Sequence, residues 1–89
     1  MSDRAFVATE ILDDAFGVKD HHEHLGEKVS DAYDYAMERY TEYGYGVDDR
    51  GEFVLREVAN TIWYMYDGGD TCYAIAKRII EAWNHAGLL

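Results

Sequence analysis

Residues Asp20 to Tyr43, DHHEHLGEKVSDAYDYAMERYTEY, decide the fold. Wound as a helix, Leu25, Val29, Ala32, Tyr33, Ala36, Tyr40 and Tyr43 fall on one side, the stripe expected of a helix packed on a core. Glu27, Asp31, Asp34, Glu38 and Glu42 fall on the other, and their steps of four, three, four and four keep five carboxylates in one ridge. Asp20 and Glu23 have capping-box spacing, with Asp in place of the usual Ser or Thr. Gly26 weakens the first turns by about 1 kcal/mol relative to Ala, so a start near Glu27 is the alternative. Tyr43-Gly44-Tyr45-Gly46 ends the helix.

The same periodicity continues on both sides. A first helix is expected from Asp3 to Phe16, capped by Ser2 or Asp3 and stopped by Gly17. Ala5, Ala8, Leu12, Ala15 and Phe16 form its inward stripe; Asp3, Glu10, Asp13 and Asp14 gather opposite as a shorter acidic face. After Asp48-Asp49 a third helix turns Val54, Leu55, Val58, Ala59, Ile62, Met65 and Tyr66 inward. Phe53, Asn60 and Tyr64 lie outside that stripe, with Trp63 at its edge, an unusually aromatic outer face. Gly68-Gly69 breaks the chain, and Asp70 or Thr71 is expected to cap a fourth helix. Its Cys72, Ile75, Ala76, Ile79, Trp83 and Ala86 point inward; Gly87 stops it, with Leu88 folding back toward Trp83. The expected fold is all-α, a compact bundle of four helices over about residues 3–16, 21–43, 50–67 and 71–86, in a single domain spanning 1–89.

Composition narrows the function. The net charge of −10 disfavours nucleic acid and anionic membrane as direct partners and favours a protein with a basic surface. Residues 1–49 carry thirteen acids and four bases (net −9), residues 50–89 five and four (net −1), so the excess is concentrated in the first half. The lone Cys72 excludes an internal disulfide, and no signal-peptide pattern opens the chain, so a cytoplasmic location is expected. No apolar run approaches the length of a membrane span.

Three side-chain groups carry candidate functions. The ridge holds three like-charged pairs at four-residue spacing, Glu27–Asp31, Asp34–Glu38 and Glu38–Glu42, each destabilising a helix by roughly 0.2–0.5 kcal/mol. With the first helix it offers Glu10, Asp13, Asp14, Glu27, Asp31, Asp34, Glu38 and Glu42 to a basic groove, in the manner of a nucleic-acid backbone. The aromatic face, Phe53, Asn60, Trp63 and Tyr64, suits an interface, and a homodimer is the alternative it supports. In the run Asp20 to His24, His21 and His24 are donors suited to zinc or nickel, with no second ligand group elsewhere; the plainer expectation is an exposed helix start. Cys72 near a helix start lacks a partner base, and no phosphate loop, metalloprotease motif or nucleophile elbow occurs. The expectation is a non-enzymatic protein with no cofactor, working by binding a macromolecule.

The closing stretch IAKRIIEAWNHAGLL, with the chain's short length, acidity and richness in Asp and Tyr, resembles small acidic accessory proteins of actinobacterial phages. That resemblance implies an accessory protein acting on a host component, in the host cytoplasm. Tyr64–Tyr66 and AKRIIEAWNHAG also resemble the colicin immunity proteins, which are acidic four-helix proteins of similar length. The Pro-bearing tyrosine motif of that family is absent, so none of its binding residues is carried over.

Overall fold

In a computed structural model, which describes residues 1–18, 22–43 and 50–89 (the side chains of 41–43 and 50 excepted), the chain forms four α-helices. They are α1 (Asp3–Phe16), α2 (Glu23–Tyr43), α3 (Arg50–Trp63) and α4 (Gly69–His85). Consecutive helices pack on one another, and α4 closes the bundle against α1. The radius of gyration of 12.4 Å is that of a compact chain of this length. The expected caps at Asp20 and at Asp48-Asp49, and the Gly44–Gly46 stop, lie outside the described residues.

Capping explains several boundaries. The Ser2 hydroxyl accepts the Ala5 N–H and opens α1. Gly17, at φ 100°, closes it by donating its N–H to the Asp13 carbonyl. At the other end of the chain, Leu88 N–H reaches the Trp83 carbonyl at 2.9 Å and Gly87 N–H the Asn84 carbonyl at 3.1 Å. With Gly87 at φ 72°, this is a Schellman ending, and Leu88 packs on the core.

Two expected boundaries shift. Helix three was expected to reach residue 67 but ends at Trp63. There the ladder tightens: Tyr64 still bonds back to Asn60, but Met65 bonds to Ile62 three residues back. The turn rotates Tyr66 into the bundle and leaves Met65, expected inside, 63 % exposed. Helix four starts at Gly69 with Gly68 (φ 101°) as its cap residue, so neither Asp70 nor Thr71 serves as the cap. A left-handed residue is what the chain reversal demands there, and glycine adopts it without a Cβ penalty.

The core draws on all four helices. Leu12, Val29, Val58, Ile62, Ile79 and Trp83 are its best-buried large side chains. Ala15 and Ala86, expected inside, stand exposed at helix ends, while Thr9, Ile11 and Ser30 are buried. Thr9 is buried because α1 and α2 touch at Gly26. A Cβ on Gly26 would lie 2.2 Å from the Thr9 hydroxyl and 2.8 Å from the Ala5 carbonyl. Gly26 therefore sets the helix–helix distance; its cost in helix propensity is offset by close packing. Trp83 is fully buried, donates its indole N–H to the Arg4 carbonyl at 2.8 Å, and meets Tyr33 edge-on at 5.4 Å.

Candidate functional site

The acidic residues separate into two groups. Asp34 accepts a two-pronged contact from Arg4, at 2.8 and 3.1 Å, while that guanidinium also lies over the Tyr33 and Trp83 rings. Asp14 pairs with Arg78 of α4 at 2.8 Å, which ties the end of α1 to the opposite neighbour. Asp13 turns toward His22. These three carboxylates tie the helices to one another. Glu10, Glu27, Asp31 and Glu38 are exposed and form no ion pair among the described residues. Glu42 lies in the last turn of α2, and its side chain is outside the described residues.

The acidic row is thus mainly a feature of α2. Glu38 lies eleven helical steps after Glu27, so the row is about 16 Å long. A nucleic-acid strand places about five phosphates over that axial length; α2 places four carboxylates, one of them already held by Arg4. Glu27 and Asp31 also border a hollow with Ser2, Ala5 and Ser30, where the acidic row meets the start of α1.

The aromatic face divides in the same way. Phe53 is half-buried and tilts against Tyr40 at 6.1 Å. Asn60 is exposed, Trp63 is 55 % exposed and Tyr64 is 93 % exposed. Tyr35 of α2 and Met65 are exposed as well. Between α2 and the end of α3 they border a groove of about 460 Å³, floored by Leu25 and Ala32. Tyr64 also borders a second hollow of about 430 Å³, with Asn60, Trp63 and Asp67.

The histidine cluster behaves differently from its expectation. His21 lies outside the described residues, and His24 is exposed. His22, which the spacing did not single out, is only 1 % exposed, against the expectation of an exposed helix start. Its Nδ1 lies 2.7 Å from an Asp13 carboxylate oxygen, and its Nε2 hydrogen-bonds the Tyr66 hydroxyl. Phe16 stacks flat on Tyr66 at 3.7 Å, and the His22 carbonyl accepts from Thr9 and from the Gly26 N–H. Three helix ends converge on this one ring. Among the described residues no three His, Cys, Asp or Glu side chains come together as metal ligands. The pairing of both ring nitrogens makes His22 a strut.

Cys72 is buried, and its thiol donates to the Tyr66 carbonyl at 3.4 Å. Burial pushes the thiol pKa up, and Asp67 adds to the shift. The sulfur is therefore held as the unreactive thiol.

The arrangement offers two surfaces, acidic and aromatic, and one internal polar strut. Compared with known protein families, curated proteins and solved structures, the chain matches none. The fold defines an all-α four-helix bundle in which no described helix is long and apolar enough to cross a membrane. His22 was missed because its signal, an imidazole at the mouth of a helix beside two more, is the same for a strut and an exposed residue. Only the distant Asp13 and Tyr66 distinguish them.

Proposed function

We propose that the protein binds a basic macromolecular partner, without catalysis, through the carboxylate face of α2. The observation that supports this most is the exposed trio Glu27, Asp31 and Glu38, which takes no part in the ion pairs among the described residues. Glu27 and Asp31 are like charges one helical turn apart, and such pairs weaken a helix. The last turn of α2 carries no base to offset its C-terminal dipole, although Glu42 stands there. Glu27, Asp31 and Glu38 form no ion pair among the described residues, while a basic groove would offer them attraction and faster encounter.

The partner fitting this face best is a protein whose basic groove ordinarily holds nucleic acid, with the α2 row standing in for one strand. The likeness of the closing stretch to phage accessory proteins is consistent with an inhibitor of a host nuclease, polymerase or defence complex. The homodimer is disfavoured on the acidic side, because each copy carries a net charge of −10.

The test is displacement. Purified basic DNA-binding proteins are loaded on labelled duplex DNA, and the protein is titrated in over a salt series. The wild type should release DNA from at least one of them, more effectively at low salt. The variant Glu27→Lys, Asp31→Lys, Glu38→Lys should not. Equal release by the variant, or release by neither, would remove the proposal.

A further inference from the structure

We infer that the groove between α2 and the end of α3 is a docking site for a basic, amphipathic segment of the partner protein. This rests on the partner-binding function proposed above and adds the apolar half of the contact.

The groove lining is mainly apolar, with Leu25 and Ala32 beside the polar His22 and Thr61, and its walls are Tyr35, Tyr64 and Met65. Those three wall residues are exposed by 55, 93 and 63 %, so large apolar side chains stand in water where the bundle could have used smaller polar ones. Met and Tyr together make a surface that adapts to apolar anchors and still offers a hydrogen-bonding tip. Tyr64 separates this groove from the second hollow, bordered by Trp63 and Asp67. Two neighbouring hollows of about 460 and 430 Å³ suit successive anchors on one face of a helix.

Charge chooses the occupant. Asp31 stands on the bank of the groove and also belongs to the α2 acidic row. Asp67 stands at the far hollow; among the described residues Lys28 is the one lysine or arginine in either lining, and the Arg39 guanidinium lies over the Tyr35 ring at 5.3 Å, so the carboxylates of the α2 row set the sign of the surrounding field. A segment with apolar residues toward the groove would therefore meet carboxylates at both ends and Glu27 and Glu38 beyond. Lys and Arg on its flanks complement those carboxylates. A second copy of this chain would bring ten further net negative charges to them.

The probe is a tryptophan-free peptide of about 18 residues, leucine on one helical face and lysine on the other. Its binding is followed by amide chemical shifts of the labelled full-length protein and by Trp63 emission, since Trp83 is fully buried. Shifts should concentrate at Ala32, Tyr35, Thr61, Tyr64 and Met65, with a blue shift of Trp63. Tyr64→Ala with Met65→Ser should weaken binding roughly tenfold or more, as loss of an aromatic anchor does. Both residues are exposed, and an unchanged melting temperature confirms that the variant is folded. A leucine–glutamate peptide with the same apolar face should bind at least about tenfold more weakly.

Equal binding by a scrambled leucine–lysine peptide, or by the double variant, would overturn the groove. The acidic-face function would survive that result if Glu27→Lys with Glu38→Lys still abolished binding. Failure of every lysine peptide would remove both. A dimer in light scattering that the double variant converts to monomer would also overturn the inference, because the second copy would then be the occupant.

Discussion

Gly26→Ala is expected to destabilise the bundle, although alanine is the better helix former. In an exposed helix interior the change would add about 1 kcal/mol. Here the new Cβ would sit 2.2 Å from the Thr9 hydroxyl, 2.8 Å from the Ala5 carbonyl and 3.2 Å from the Thr9 amide nitrogen. The hydroxyl could rotate away only by giving up its 2.7 Å bond to the Ala5 carbonyl. The other two atoms are backbone, so α1 itself must move. Overpacking of this kind costs roughly 1–3 kcal/mol, and close backbone contact belongs at the upper end. The net loss is then about 1–2 kcal/mol, or a fall in Tm of about 5–15 °C for a domain of this size. Gly51→Ala is the internal control, because among the described residues nothing outside its own helix backbone and chain neighbours lies within 4 Å of its added Cβ. It should be neutral or stabilising by up to about 1 kcal/mol. Urea and thermal unfolding of the two variants should therefore move in opposite directions. A Gly26→Ala protein as stable as the wild type would refute the close α1–α2 contact.

Other expectations concern single contacts. His22→Ala removes both ring hydrogen bonds and opens a void among three helices, so urea unfolding should show a loss of roughly 2–4 kcal/mol. Tyr66→Phe keeps the stack on Phe16 and loses only the hydroxyl, which should cost roughly 1–2 kcal/mol by the same assay. A loss as large as that of His22→Ala would argue against the strut. Burial raises the Cys72 thiol pKa, so alkylation at mildly alkaline pH should be slow in the folded protein and fast in urea; equal rates would contradict it. The Tyr73 hydroxyl donates to Glu52 at 2.9 Å and holds its carboxyl pKa down, with Arg56 assisting. The same contact holds the Tyr73 pKa up. The contribution of Glu52 is complete above its unfolded value and lost as pH falls through the folded one. That of Tyr73 is complete below its unfolded value and lost as pH rises through the folded one. Tyr73→Phe should move the Glu52 titration upward by NMR, and an unmoved titration would count against the bond.

The fold was legible because its signals are local. The α1 span, the inward stripe of α4 from Cys72 to Trp83 and the Gly87–Leu88 ending follow from helical period and glycine placement alone. What escaped was long-range. Gly26 reads as a weak point until Thr9 and Ala5 are seen against it. Asp34 read as a ridge member, and Asp13 and Asp14 as part of the shorter acidic face of helix one, yet each meets a cation or imidazole from elsewhere in the bundle. Period placed Met65 and Tyr66 on one stripe, but the tightened turn after Trp63 sends them apart. Of the candidate site, the exposure of Glu27, Asp31, Glu38, Trp63 and Tyr64 was readable from helix faces. That Asp31 and Tyr64 border one groove depends on how α2 and α3 pack.

The most direct measurement of the central claim is co-purification from cells of the organism that encodes the protein. Wild type and the Glu27→Lys, Asp31→Lys, Glu38→Lys variant are compared side by side at low and high salt. The account predicts a basic, nucleic-acid-binding protein held by the wild type at low salt, and lost both with the variant and with added salt. A partner retained equally by the variant, and undiminished at high salt, would contradict it.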